Sequence, residues 1–370
     1  MMSAYPGSEN ERRIGFDELC QAAREIFVAC GMREADAQLL GTSLAYADLH
    51  GVHSHGVMRV PDYVGRMSAA KQPADRSAIA GVLGGVNPRG TPRLTRDRGA
   101  ALVVDGDNSM GQIGGMFAMQ SAIERAKTTG VAFAAVGNSN HCGALFWFVQ
   151  RAIEAGMIGI ASTNALPTMA PWGGIDRIVG MNPLAIGIPT GNKPSFVMDA
   201  AFAACARGKV VVYHQKGEPI PDSWALDAQG RPTTDAGAAL QGLLRPVGDY
   251  KGVNVSMAMG VLSTLLSGAG YGTRLGSVNE GPKAGRDGHF MMAMDIDAFC
   301  DASDFRDEMD AVIDEIHTSR RAPGVERIYS AGELEADTAL SYQRDGIPLN
   351  DETLVELDRT AKSLGVALTL

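Results

Sequence analysis

Several features are scarce or missing in this 370-residue chain, and each absence removes a class of protein. Cysteine occurs five times (Cys20, Cys30, Cys142, Cys205, Cys300), widely spaced and never as CxxC. An odd, scattered set excludes a disulfide framework and a cysteine zinc site, and fits reduced thiols. No apolar run reaches the ~18 residues of a membrane helix. No basic run suits nucleic acid or an anionic membrane, and the formal net charge is −9. Met1 to Arg13 is polar and lacks the apolar centre of a signal peptide, so the expectation is a cytoplasmic protein. No strict GxGxxG and no GxxxxGK[ST] occurs. Gly268-Ala269-Gly270-Tyr271-Gly272 comes nearest in composition, but it follows a helical pattern instead of a strand. The pattern therefore shows no Rossmann fingerprint and no phosphate-binding P-loop.

What is present is glycine, 45 residues of it, in a chain 45% hydrophobic and 20% charged. That composition suits a folded α/β protein, and the length suits two or three lobes. Phe16, Leu19, Cys20, Ala23, Ile26 and Phe27 recur at helical spacing. A second helix is predicted from Glu34 to a C-terminal stop at Gly51, and a short third from Arg59 to Met67. Residues 75 to 98, rich in Gly, Pro and Arg, read as a connector. Beyond it strands are predicted at Ala101–Val104, Val131–Val136, Ile158–Ala161, Ala185–Ile188 and Phe196–Met198. Another, of alternating exposure, is predicted at Phe290–Ile296. Helices are predicted at Gln112–Lys127, Ala144–Ala155, Val253–Leu266, Phe305–Arg320 and Asn350–Leu364. Alternation of the two types means α/β. The expected organisation is a helical lobe over 1–85, an α/β domain over 86–320, and a C-terminal segment, 321–370, packing back on the first lobe.

The densest chemistry is Asp48-Leu49-His50-Gly51-Val52-His53-Ser54-His55-Gly56, with Arg59 just beyond. Three of seven histidines fall within six residues. The plainest account is a solvated turn. A second is acid/base catalysis: histidine titrates near neutrality, and an arginine four residues later offers a bidentate carboxylate clamp. In a chain of net negative charge, a small anionic substrate needs such a local cation. A third is a metal-dependent hydrolase using His53 and His55, although the remaining histidines are scattered. The next cluster, Gly137-Asn138-Ser139-Asn140-His141-Cys142-Gly143, lies between a predicted strand and helix, where α/β proteins bind ligands. His141 there suits a hydrogen-bond donor, or Asn138 to Asn140 simply cap the helix.

These segments, taken in order, resemble the type-2 malate/L-lactate dehydrogenase family, the sulfolactate dehydrogenase-like enzymes. Asp48 to Tyr63 (DLHGVHSHGVMRVPDY) is similar to its first signature, and Asn138 to Gly143 to its second. Thr163-Asn164-Ala165 with Pro171 to Gly174, Met181-Asn182-Pro183, Phe196 to Asp199, Ala206 to Lys209, Tyr250-Lys251-Gly252 and Leu265 to Ala269 follow. The likeness runs from about Ile14 to Leu368 and departs at Asn254, Val255, Ala331 and Cys142. It implies a non-Rossmann mixed-sheet α/β domain that binds NAD or NADP. It also implies a homodimer, and hydride transfer to or from a small anionic 2-hydroxy or 2-oxo acid. Some members act on ureidoglycolate, diketogulonate or piperideine-carboxylate, so reduction of a cyclic or N-methyl imino acid is the alternative. By position, the resemblance makes His55 the acid/base with Ser54 beside it, Arg59 the carboxylate ligand and His141 a second histidine of the substrate site. It directs Asn182, Phe196, Val197, Met198, Asp199, Tyr250, Lys251, Gly332 and Glu333 to the cofactor and implies no metal.

Overall fold

The computed structural model describes residues 11–69, 85–275, 286–368 and 370. Helices α1 (Phe16–Ala29) and α2 (Glu34–Leu49) pack through Leu19, Ile26, Phe27, Leu40 and Leu44, all buried. Helix α3 (Val60–Ala69) adds Tyr63 and Met67 to the same core. Between α2 and α3 the chain makes two single-turn 3₁₀ segments, His53–His55 and Val57–Arg59. The histidine motif is therefore held on tight turns anchored by a helix at each end.

The second layer is a seven-stranded sheet built from β1 (Arg93–Arg98), β2 (Ala101–Asp105), β3 (Val131–Ser139), β4 (Ile158–Thr163), β5 (Leu184–Ile188), β6 (Phe196–Ala200) and β7 (Asp287–Met294). Its order is β1-β2-β3-β7-β4-β5-β6. Only the β2–β3 pair is parallel; every other neighbour is antiparallel. That mixed pattern agrees with the missing Rossmann fingerprint, which belongs to parallel βαβ units. Helices α4 (Gly111–Thr129) and α5 (Phe146–Glu154) lie on the sheet and bury Met116, Met119, Phe148 and Val149 against Ala134, Ala161 and Met291.

A third, smaller core was not foreseen in the sequence. It gathers Met169, Val179, Val210, Ile220, Ala225 and Val253. Helices α6 (Arg207–Lys216), α7 (Ala236–Gln241) and α8 (Tyr250–Thr264) surround it. Helices α9 (Ala302–Thr318), α10 (Glu333–Asp345) and α11 (Asp351–Ser363) complete the chain. Asn350 caps α11, its side-chain oxygen accepting from the Thr353 amide at 2.8 Å. Leu357 and Ala361 of α11 enter the first core, and Ile347–Leu349 pairs with Arg12–Ile14. The C-terminal helix thus packs back on the first lobe, as the sequence suggested.

Two sequence expectations are corrected. Residues 93–98 are strand β1, not connector; it sits at the sheet edge with every residue exposed, so its polar, arginine-rich sequence carries no apolar signal. Part of that connector, residues 75–84, lies outside the described residues. Strand β7 alternates in exposure only over its last four residues, Met291 to Met294. It runs between β3 and β4 with both faces covered, and Gly288 to Met291 are buried in succession. Among the described residues no helix is long and apolar enough to cross a membrane.

Candidate active site

The site begins with one buried carboxylate. Asp48, in the last turn of α2, is 1% exposed. Its Oδ1 accepts from Nδ1 of His53 at 2.7 Å and its Oδ2 from the Val57 amide at 2.7 Å. Burial pushes this carboxyl upward while the two donors pull it back. A Cβ on Gly56 would lie 2.1 Å from an Asp48 oxygen, so only glycine lets the turn close over the carboxylate. Asp48 therefore ties both 3₁₀ turns to α2.

His55 emerges from that turn with Nδ1 2.9 Å from the Ser54 hydroxyl. Arg59 donates from Nε to the Ser54 carbonyl at 2.8 Å and from a terminal nitrogen to Asp62 at 3.2 Å. The guanidinium is thus held beside His55, and among the described residues part of its donor fork has no partner. From the other layer, the loop after β3 brings His141 to stack on His55, ring centroids 5.9 Å apart and planes at 18°. Asn140 anchors that loop by donating to the Asn108 and Ser109 carbonyls at 3.1 and 2.8 Å. Nδ1 of His141 lies 2.7 Å from the Tyr63 hydroxyl, which accepts from Gln112 Nε2 at 3.3 Å. The four residues assigned to chemistry from sequence, Ser54, His55, Arg59 and His141, therefore converge. Asp48, Tyr63 and Gln112 were given no role from sequence. Tyr63 sits four residues after Arg59, one helical turn, which is the signal that would have linked it to the site.

Protein atoms crowd these groups although the site stays open to solvent on one side. Crowding, with the Arg59 charge second, pushes His55 down to about 4. Crowding, then His55, Arg59 and His289, pushes His141 down to about 3. Both imidazoles are neutral near pH 7. The nearby Cys142 thiol is driven up to about 12 by burial, so it is an inert thiol and not a nucleophile.

Nothing supports the metal reading. Nδ1 of His53 is engaged by Asp48, and Nδ1 of His55 lies against Ser54. Among the described residues no three His, Cys, Asp or Glu side chains are grouped to hold an ion.

The residues assigned to a cofactor divide into two kinds. Phe196 to Asp199 form edge strand β6, and Val197 donates to the Ala331 carbonyl at 2.9 Å, bringing Gly332 alongside. Gly332 has φ +85°, and a Cβ there would meet Val197 at 2.8 Å. Asp199 accepts from the Phe146 amide at 2.9 Å, at the start of α5. It bonds there and not to a histidine. The residue is open to solvent, yet protein crowds its carboxyl from behind and pushes it up to about 6. Beyond β6, residues 202–204 run beside 245–247, which lead into Tyr250 and Lys251 at the start of α8. Both side chains are exposed, and Lys251 has no ion pair among the described residues. Asn182 and Glu333 face inward. Asn182 accepts from the Ala165 amide at 2.9 Å and donates to the Ser256 carbonyl at 2.7 Å. Glu333 accepts from His317 at 2.8 Å, from the Ser330 amide at 3.0 Å and from Arg327. These two side chains brace the walls.

A model of the malate/L-lactate dehydrogenase family matches residues 14–358. The chain belongs to that family. The malate dehydrogenase of Pyrococcus abyssi is 36% identical over 97% of this chain and 96% of its own length. The ureidoglycolate dehydrogenase (NAD(+)) of Escherichia coli strain K12 is 31% identical, covering 91% of this chain and 90% of its own. The solved sulfolactate dehydrogenase from Methanocaldococcus jannaschii superposes with a TM-score of 0.87 at 32% identity, covering 96% of this chain and 98% of that one. Within this family the strand edge and helix starts fit a nicotinamide dinucleotide in chemistry. The exposed Lys251 at the positive end of α8 suits its phosphates, and the Phe196–Met198 edge suits its apolar faces.

The latch is testable on its own. Gly56→Ala forces a methyl into the Asp48 carboxylate and should cost about 2 kcal/mol or more in a urea-unfolding measurement. An unchanged midpoint would mean that the turn is not closed over Asp48.

Proposed function

We propose that this protein is an NAD(P)-dependent dehydrogenase of small 2-hydroxy acids, with His55, His141, Ser54 and Arg59 at the reacting centre. The carrying observation is the stacked pair of neutral imidazoles, one from each layer, beside a guanidinium with donors left over among the described residues. NAD or NADP, when bound, supplies the hydride acceptor or donor. Arg59 orients the substrate carboxylate through its fork. The histidine pair holds the oxygen that changes between hydroxyl and carbonyl and moves its proton. Asp199, Phe196 to Met198, Tyr250 and Lys251 face the cofactor, while Asn182, Gly332 and Glu333 shape the wall behind it. The five free cysteines support a reducing, cytoplasmic setting, which cell fractionation would check.

We also propose that the protein works as a homodimer. Helix α8 exposes Met257 and Val261, and Leu265, just past its end, continues that line at four-residue spacing. An apolar stripe of this kind is costly to leave in water. Sedimentation should give a dimer at micromolar concentration, and Val261→Lys with Leu265→Lys should shift it toward monomer. A wild-type monomer would overturn this.

The substrate class is tested by assaying 2-oxo acids and cyclic imino acids with NADH and with NADPH. At least one 2-oxo acid should be reduced, and activity should withstand a strong chelator. Arg59→Ala should raise KM for the acid by ~10-fold or more, the loss of a charge-assisted pair. Turnover of imino acids alone would replace the hydroxy-acid reading.

The pH dependence follows from the lowered histidines. Oxidation needs a neutral imidazole, so kcat/KM should hold on acidification to about pH 5 and fall near 4, where His55 takes up a proton. Reduction needs the protonated ring and should speed up over the same range. For stability the sign is also fixed. The unfolded histidine binds its proton near 6.5 and the folded one near 4, so acidification between those values favours unfolding. A bell centred near pH 7 in the free enzyme would contradict the neutral pair.

A further inference from the structure

We propose that Tyr63, oriented by Gln112, is a positioning residue that fixes His141 as its Nε2–H tautomer. His141 then serves as hydrogen-bond donor to the reacting oxygen and leaves proton carriage to His55. The inference rests on the dehydrogenase reading and deepens it by dividing the work of the two histidines.

Two groups point at Nδ1 of His141: the Tyr63 hydroxyl at 2.7 Å and the Gly143 backbone amide at 3.3 Å. A hydroxyl can turn and a side-chain amide can be read either way round, but a backbone N–H only donates. Nδ1 therefore presents its lone pair, and the ring hydrogen sits on Nε2. It follows that Tyr63 is the donor in the 2.7 Å contact. Its oxygen accepts in turn from Gln112 Nε2 at 3.3 Å. Tyr63 and Gln112 are both fully buried. Burial lifts the phenol well above its ordinary pKa, so it keeps its proton at any working pH. The chain Gln112, Tyr63, His141 thus runs in one direction.

His55 stands in a different setting. Among the described residues its Nδ1 meets only the Ser54 hydroxyl, at 2.9 Å. A hydroxyl donates or accepts as it rotates, so this ring can gain or lose a proton without breaking the contact. When Nε2 of His55 receives a proton, Nδ1–H donates to Ser54. In oxidation the substrate O–H bond breaks and its proton passes to His55. With NAD(P) bound, the carbinol hydride would leave with its electron pair to the nicotinamide as the carbonyl forms. His141 Nε2–H donates to that oxygen before and after the step. Reduction is the reverse. Tyr63 also joins the layers: it lies on α3, one turn after Arg59, while His141 belongs to the loop after β3.

The test is the tautomer itself, read by ¹⁵N and ¹³C NMR of the free, full-length protein with labelled histidine. His141→Gln identifies the signals. The wild type should show His141 with its hydrogen on Nε2. Tyr63→Phe leaves only the longer Gly143 contact, so the second tautomer should become visible. There kcat should fall about tenfold, with KM changed less than about twofold. Gln112→Ala, which removes only the donor to the phenol, should show the same change more weakly. If Tyr63→Phe fails to fold, the wild-type signal and Gln112→Ala decide the matter. A hydrogen on Nδ1 in the wild type overturns the proposal, as does a Tyr63→Phe enzyme with unchanged tautomer and kcat. Lack of turnover with every 2-oxo acid would remove the dehydrogenase reading and leave the tautomer result standing, so the two failures are distinguishable.

Discussion

Burying a carboxylate is costly unless donors meet it, and the Asp48 side chain is buried where the first helical layer ends. The nearest donors are the Val57 amide and the His53 ring, and both are drawn onto it. Meeting that demand folds residues 53–59 into two tight turns and requires a glycine at 56. It also decides which histidine does what. His53 becomes a strut because its ring is engaged, and His55, two residues on, is turned toward the sheet. Asp48 touches no reacting atom, yet the direction of His55 follows from it.

The second layer meets this turn with His141, and the consequence is electrostatic. Two crowded imidazoles and one guanidinium share a small volume, so neither ring can afford a proton in the free protein. A bound carboxylate changes this. At about 6 Å, with an effective dielectric of about 20, an anion favours a protonated imidazole by about 3 kcal/mol, or about two pKa units. That would lift His55 from about 4 toward the neutral range. On the proposed function, the substrate's own acid group would make His55 a competent base, and Arg59 would set how near that group comes. A neutral analogue would bind to a histidine too weakly basic to take the proton.

Much of this was readable from the chain, and what escaped has identifiable causes. Helices with a clear apolar face, such as α1 and α11, were placed to within a few residues, because burial on one side leaves a 3.6-residue period. Strand β1 was missed because an exposed edge needs no apolar residue. The third core was missed because, apart from α8, it gathers residues from short elements and loops that sustain no period. In the site, Ser54, His55, Arg59 and His141 were legible because histidine and arginine announce chemistry. Tyr63 and Gln112 were not, since a buried tyrosine at helical spacing is usually core and its partner is 49 residues away in sequence. Asn182 and Glu333 show what the sequence hides in the other direction. Their types suggest ligand contact, but both side chains are consumed by internal hydrogen bonds that only tertiary structure reveals.

The missing glycine fingerprint then has a structural reason. In a parallel sheet each strand feeds a helix whose N-terminus faces the same edge, and a glycine turn there cradles pyrophosphate. Here only β2 and β3 are parallel, and the edge strand β6 arrives by a hairpin from β5 with no helix between them. A dinucleotide on this scaffold must find its positive helix ends elsewhere. The start of α5 is already taken by the Asp199 carboxylate, which accepts from Phe146. Helix α8 offers one, reached through the 245–247 segment running beside the chain that leaves β6, with Lys251 in its first turn. The two ends of the cofactor would then be held by different cores, the nicotinamide side by the sheet and the phosphate side by the small third core. On the proposed cofactor site, movement between those cores would change the distance between hydride and histidine, which would make the small core part of the catalytic geometry.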